Sequence, residues 1–180
     1  MKNNISSIFL GTRIEVLEKF AKLTNVKEIY TTKNSFVSLY FNKKGIKKFI
    51  FNQKNKQEIF KKITNAKVKI VLSAGFPYII PKKVLNKKRL YLNSHPSLLP
   101  KYKGYYSITD ALKAKEKFIG VTVHKMTPEV DSGKIICQKS ASIHKKKLNE
   151  VYDLIFGKIE PEVISKAMKL IILNKKKWLL

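Results

Sequence analysis

A chain of 180 residues, 44% of them hydrophobic, can bury one sizeable core, so a single domain over residues 1–180 is the expectation. Its formal net charge of +26 attracts anions, but only Arg13 and Arg89 are arginines and the lysines recur all along the chain without aromatic interleaving; this argues against a dedicated nucleic-acid surface and stays compatible with a phosphorylated or polyglutamylated small molecule. No apolar run approaches the roughly 20 residues that cross a bilayer, charge interrupts the N-terminal run before a signal core forms, and the single Cys137 excludes an internal disulfide; a cytoplasmic chain with neither redox nor metal chemistry is expected, with Cys137 in the core.

The apolar period alternates between strand-like and helix-like, as an α/β layer fold requires. Ile8 to Leu10 predict a buried first strand ending at Gly11, and Val16, Leu17, Phe20 and Ala21 fall at helical spacing. Short strands are expected around Ile29 to Tyr30, Phe36 to Phe41 and Lys48 to Phe51, with NKKG as a turn between the last two. Ile59, Phe60 and Ile63 line one face of a helix, and the run KVKIVLSAGF reads as a central strand covered on both sides.

Leu90 to Asn93 form a second buried strand, which leads into the stretch LNSHPSLLPKYKG. A short helix over Ile108 to Leu112, a strand over IGVTVHKM, a loop TPEVDSG and a strand from Lys134 to about Ile143 follow. Beyond Leu148 the spacing is helical, in two stripes: Leu148, Val151, Leu154 and Ile155, then Val163, Ile164, Ala167, Met168, Ile171 and Ile172. Pro161 marks the first turn of the second helix.

Residues two apart on a strand share a face, so Asn93 and His95 project together while Ser94 points away. In open α/β sheets the ligand lies beyond the carboxyl ends of the strands, where this loop begins, and Pro96 and Pro100 stiffen the backbone around Ser-Leu-Leu. The competing reading is a turn-capping Asn beside a half-buried structural His. Asp131 is one of three aspartates in the chain; set against an imidazole it would orient the ring and raise its pKa. Beside Gly133, it can equally be a turn former.

The pieces NSHPSLLPKYKG, IGVTVHKM and VDSGKII, in this order and spacing, resemble the folate-dependent formyltransferases, which include phosphoribosylglycinamide formyltransferase and the N-terminal domain of methionyl-tRNA formyltransferase. Their signature is Asn-x-His, a Ser-Leu-Leu-Pro loop and a later Asp-x-Gly. The likeness is close from Ala66 to Ile143 and looser elsewhere. It implies an α/β, Rossmann-like domain with a mostly parallel twisted sheet flanked by helices. It also implies 10-formyltetrahydrofolate as co-substrate, no metal, and catalytic roles for Asn93, His95 and Asp131.

That chemistry suits these side chains. Attack of an amine on the formyl carbon develops an oxyanion, which the Asn93 carboxamide and a His95 imidazolium can stabilise while Asp131 keeps His95 charged and helps move the amine's proton. By the same resemblance, Phe76, Pro77, Tyr78, Ile79 and Ile80 after the central strand, with Ser97, Leu98, Leu99 and Pro100, surround the folate. FPYII also fits plain packing at a strand end.

The acceptor is less legible. Glycinamide ribonucleotide transformylases resemble this chain in the AGF strand end and in a C-terminal helix with a Glu where this chain has Glu160. They cradle the substrate phosphate on a Gly-Ser-Asn loop after the first strand. This chain has LGTRIEV there, leaving Gly11, Thr12 and Arg13 as the corresponding phosphate-binding candidates. FLGT and IIPKKVL are more similar to methionyl-tRNA formyltransferases, which carry a further C-terminal domain for which this chain has no room.

The expectation is therefore formyl transfer to glycinamide ribonucleotide, in purine biosynthesis. An amino sugar or nucleotide-linked amino sugar ranks next as the small-molecule acceptor, and methionyl-tRNA last. The non-enzymatic alternative is an inactive folate- or RNA-binding module, against which the intact Asn93, His95 and Asp131 stand.

Overall fold

The first strand, β1 (Ser6–Gly11), is buried on both faces, with Phe9 in one core cluster and Ile8 and Leu10 in the other. The computed structural model describes residues 4–86 and 88–179. It continues with α1 (Ile14–Leu23), β2 (Asn25–Thr31), α2 (Phe36–Tyr40), β3 (Lys47–Ile50), α3 (Lys56–Asn65) and β4 (Ile70–Ala74). Next come β5 (Leu90–His95), α4 (Ser107–Lys113), β6 (Phe118–Lys125) and β7 (Ile135–Ser142). A long helical run follows: α5 (Leu148–Tyr152), a π-helical segment Asp153–Ile159, α6 (Glu160–Leu173) and a short α7 (Lys175–Leu179).

The strands form one seven-stranded sheet in the order β3-β2-β1-β4-β5-β6-β7. The pairs from β3 through β5 are parallel, and β6 and β7 add antiparallel at one edge. This is the mostly parallel, helix-flanked sheet expected from the sequence. The strand order changes direction between β1 and β4, and α/β sheets place ligands beyond the carboxyl ends at such a switch point. Gly11 ends β1 there at φ +139°, and a Cβ on it would stand 1.8 Å from the Ala74 carbonyl oxygen. Only glycine allows β1 and β4 to close up at this point.

Each face of the sheet has its own core. Val16, Leu17, Phe20 and Ala21 of α1 pack with Val163, Ile164, Ala167, Met168 and Ile171 of α6 against Phe9, Leu72 and Leu92. Across the sheet, Ile59, Phe60 and Ile63 of α3 meet Ile8, Leu10, Val71 and Tyr91. Fully burying a side chain of this size stabilises by about 1.5 to 3 kcal/mol. Cys137 is buried as expected, its Sγ 3.6 Å from the Val163 carbonyl.

Two expectations need correcting. Phe36 to Tyr40 is a helix, not a strand: the Ser35 hydroxyl caps it by accepting the Ser38 N–H at 3.1 Å, and Phe36 and Tyr40 stack four residues apart, at helical spacing. NKKG therefore joins a helix to a strand. The C-terminal stripes lie on one continuous helical run and not on two separate helices; Pro161 stands in the first turn of α6 as expected, and the π-helical turn precedes it, where the proline ring and its missing N–H disfavour the regular α ladder. Among the described residues no helix is long and apolar enough to cross a membrane.

Candidate functional site

Strand alternation carries Asn93 and His95 to the same face of β5, and the β6–β7 loop returns Asp131 to them. Asn93 Nδ2 lies 3.3 Å from Asp131 Oδ1, and His95 Nδ1 lies 3.3 Å from Asp131 Oδ2. The three side chains predicted as a unit are thus brought together, at the carboxyl end of a strand in a mostly parallel sheet. Asp131 holds a left-handed φ of 50°, and Gly133 lets the loop press onto the Lys125 carbonyl, which a Cβ there would approach to 1.8 Å. Backbone in such sparsely populated conformations persists where the surroundings over-determine it.

A fourth member was not foreseen. His124 is the cross-strand partner of Asn93, is 2% exposed, and sets Nε2 3.3 Å from Asn93 Nδ2 and 3.4 Å from Asp131 Oδ1. The available signal was its alternation with Val121 and Val123 in IGVTVHKM, since a polar side chain on the covered face of an apolar strand needs a partner. Two of the chain's three histidines meet at this one carboxylate.

The charge state of His95 differs from expectation. Burial lowers its pKa below the ordinary value, and this outweighs the upward pull of the Tyr102 carbonyl and of Asp131. Its Nε2–H donates to the Tyr102 carbonyl oxygen at 2.8 Å, which leaves the lone pair of the neutral ring on Nδ1, facing Asp131. The 3.3 Å separation there is long for a charge-assisted N–H···O bond, in keeping with a neutral ring. Burial alone pushes Asp131 upward, but contact with His124, the Gly104 N–H and the charges of His95 and His124 bring its pKa down to about 2.

The loop after β5 is anchored from behind. Thr122 Oγ donates to the Ser97 carbonyl at 2.6 Å and accepts the Leu99 N–H at 3.1 Å, while Gln138 Nε2 donates to the Leu99 carbonyl at 2.8 Å. The Ser97 hydroxyl turns to the Lys101 carbonyl at 2.7 Å. These polar groups of Ser97 and Leu99 fix the loop and are spent internally, while Leu98 and Pro100 border it. Phe76 and Tyr78 pack on Phe51, with ring centroids 4.9 and 4.5 Å away, and Ile80 is buried beside them. Packing at the strand end therefore occupies these three side chains, and Pro77 and Ile79 stand exposed.

The four acceptor-side residues lie at the ends of β1 and α6. Thr12 is clamped to β4: its N–H donates to the Ala74 carbonyl at 3.2 Å and its hydroxyl to the Gly75 carbonyl at 3.2 Å. Arg13 folds inward, its guanidinium 3.5 Å above the centre of the Phe156 ring and its Nε 3.7 Å from Glu160 Oε2. Glu160 is 1% exposed, and its Oε2, Arg13 Nε and the neighbouring Ser94 Oγ lack hydrogen-bond partners. Burial raises the Glu160 pKa to about 7 against the opposing Arg13 charge. Among the described residues no group of three or more His, Cys, Asp or Glu is arranged to hold a metal ion.

Comparison with known proteins places the chain in a family and matches its fold. The family model described as "Formyl transferase" matches residues 15–168. The chain is 39% identical over 90 residues to the methionyl-tRNA formyltransferase of Thermotoga maritima, covering 49% of this chain and 29% of that protein. It is 38% identical over 105 residues to the trifunctional purine biosynthetic protein adenosine-3 of Chironomus tentans, covering 58% of this chain and 8% of that protein. The matches thus span about a third or less of these relatives' length. In fold it is similar to phosphoribosylglycinamide formyltransferase from Anaplasma phagocytophilum, with a TM-score of 0.79 at 24% identity, covering 96% of this chain and 89% of that one.

Proposed function

We propose, on the premise that this chain belongs to the formyl transferase family, that it transfers a formyl group from 10-formyltetrahydrofolate to the primary amine of glycinamide ribonucleotide. The observation that carries this reading is the convergence of Asn93, His95 and Asp131 within 3.3 Å contacts at the end of β5. Residues 1–180 act in it as one catalytic domain.

Each group has a task that its surroundings favour. Asn93 directs an amide N–H at the formyl oxygen as negative charge develops there. His95, neutral through burial, takes the proton that the attacking amine loses, and Asp131 stabilises the imidazolium that forms. The folate lies on the aromatic side of the sheet, against the backbone of Phe76 to Ile80 and the anchored Ser97 to Pro100 loop. The acceptor enters from the Gly11 to Arg13 side, where the Ile14, Glu15 and Val16 N–H groups of the first turn of α1 have no intrahelical partner. Glu160 supplies a buried carboxyl there with an oxygen still to be paired.

A second reading, methionyl-tRNA as acceptor, is favoured by the 39% identity over 90 residues to a methionyl-tRNA formyltransferase. Incubation with 10-formyltetrahydrofolate and either glycinamide ribonucleotide, methionyl-tRNA or a nucleotide-linked amino sugar, read by mass spectrometry of the product, separates them. Formylated glycinamide ribonucleotide is expected. Formylation of methionyl-tRNA alone selects the second reading, and transfer to none of the three overturns both.

A further inference from the structure

The Asn93 carboxamide can serve an oxyanion only if its nitrogen faces the site with one N–H to spare, and a lone carboxamide does not choose which way round it sits. Asp131 Oδ1 draws the nitrogen to its side, and His124 adds a second acceptor there. The His124 Nδ1–H donates to the Lys125 carbonyl at 2.9 Å, so in the neutral ring Nε2 carries the lone pair and faces Asn93 Nδ2 at 3.3 Å. Opposite Val123 and His124 the register shifts by one residue, with Ile136 of β7 left unpaired, so a bulge in the partner strand accentuates the local twist beside His124.

Asn93 Nδ2, His124 Nε2 and Asp131 Oδ1 are mutually 3.3, 3.3 and 3.4 Å apart. Seen from the amide nitrogen, the two acceptors of this nearly equilateral triangle are separated by about 60°, half the angle between the two N–H bonds of a planar amide. One N–H therefore lies between both acceptors, and the other is directed away from them. Two long contacts in place of one short one are what a shared, three-centre hydrogen bond gives. A His124 carrying a proton on Nε2 would instead oppose the amide N–H and compete with it for Asp131 Oδ1.

We propose, resting on the formyl-transfer reading above, that His124 is a positioning residue: its Nδ1–H tautomer locks the Asn93 carboxamide with one N–H free for the formyl oxygen. It acts through Asn93 and does not touch the transferred group.

Nitrogen-15 NMR of the labelled wild-type protein reads the tautomer directly. A protonated Nδ1 and bare Nε2 are expected, and the Nε2–H tautomer overturns the assignment. In single-turnover formyl transfer, His124→Leu should lower the rate by about a hundredfold, the loss typical of one oxyanion donor, while the KM for the folate stays within about twofold. His124→Gln, whose side-chain oxygen can occupy the place of Nε2, should restore most of the rate. In an Asn93→Ala background, His124→Leu should cost nothing further; additive losses, or no rescue by a folded His124→Gln, overturn the proposal. Should wild-type protein formylate no amine, the activity reading falls alone, and the His124 tautomer with hydrogen exchange of the Asn93 side-chain amide still decides. That exchange should be faster in His124→Leu than in wild type, and slow again in His124→Gln, only if an acceptor at position 124 holds the amide.

Discussion

Asp131 Oδ2 accepts the backbone N–H of Gly104 at 2.9 Å, which ties the loop after β6 to the loop that follows β5. The same oxygen faces His95 Nδ1, while Oδ1 faces Asn93 and His124. One carboxylate therefore fixes two loops and three polar side chains. Its charge and its shape make separable contributions, because an amide of equal size can hold the loop but cannot stabilise an imidazolium.

Asp131→Asn separates them. Turnover should fall by at least about a hundredfold, since His95 loses the countercharge for the proton it takes, while folate affinity changes little because the loop geometry survives. Steady-state kinetics alongside equilibrium binding of the folate provide the check. Near-wild-type turnover would reduce Asp131 to a turn former.

Stability should fall with acidity in two stages. The folded-state pKa values of His95 and Asp131 are both depressed. Each group therefore contributes stability that is complete above its unfolded pKa and is lost as pH falls through the folded one. For His95 the loss starts below about 6.5; for Asp131 it runs from 3.8 down to about 2. Urea midpoints from pH 7 down to pH 5 should decline in wild type and decline less steeply in His95→Asn. Equal slopes in the two proteins would show that His95 does not carry the upper window.

The reading of the chain before folding succeeded where one physical signal dominates. β4, buried on both faces, and α1, with its four-residue stripe, follow from periodicity alone. The segment Phe36 to Phe41 was misread because six residues with apolar side chains at both spacings fit either period, and the Ser35 cap that decides it is a single hydroxyl. Asn93 and His95 were legible from the strand pleat, whereas His124 was not placed, because its partnership with Asn93 depends on a β5–β6 register set by tertiary packing. The direction of the His95 shift went the other way for a related reason: the charge of Asp131 can be read from sequence, but the degree of burial that outweighs it cannot.

Glu160→Gln should stabilise the protein at pH 8 and leave it close to wild type at pH 4. Folding raises the Glu160 pKa from 4.5 to about 7. The group therefore favours the folded state fully below pH 4.5, and that contribution is lost as pH rises through about 7, when a buried carboxylate with an unpaired oxygen must ionise. Glutamine keeps the shape without the charge. Thermal melts of both proteins at the two pH values test this, and a variant less stable than wild type at pH 8 would mean that the Arg13 pairing outweighs the burial cost.

Arg13→Ala addresses the acceptor. The guanidinium lies on the Phe156 ring and beside Glu160, so its planar fork is held beyond the carboxyl end of β1, at the first turn of α1. A phosphate seated on the N–H groups of that turn would gain a charge-assisted contact worth about 1.5 to 3 kcal/mol. Its removal should raise the acceptor KM roughly ten- to a hundredfold, with the folate KM unmoved, if the contact is equal in ground and transition states. Arg13→Lys should recover only part of the loss, because an ammonium neither stacks on the ring nor presents a fork. The opposing view makes Arg13 a structural partner of Phe156 and Glu160 alone, and it predicts a lower melting temperature with both Michaelis constants unchanged. Kinetics of the two variants with glycinamide ribonucleotide, run beside their thermal melts, decide between a phosphate ligand and a structural arginine.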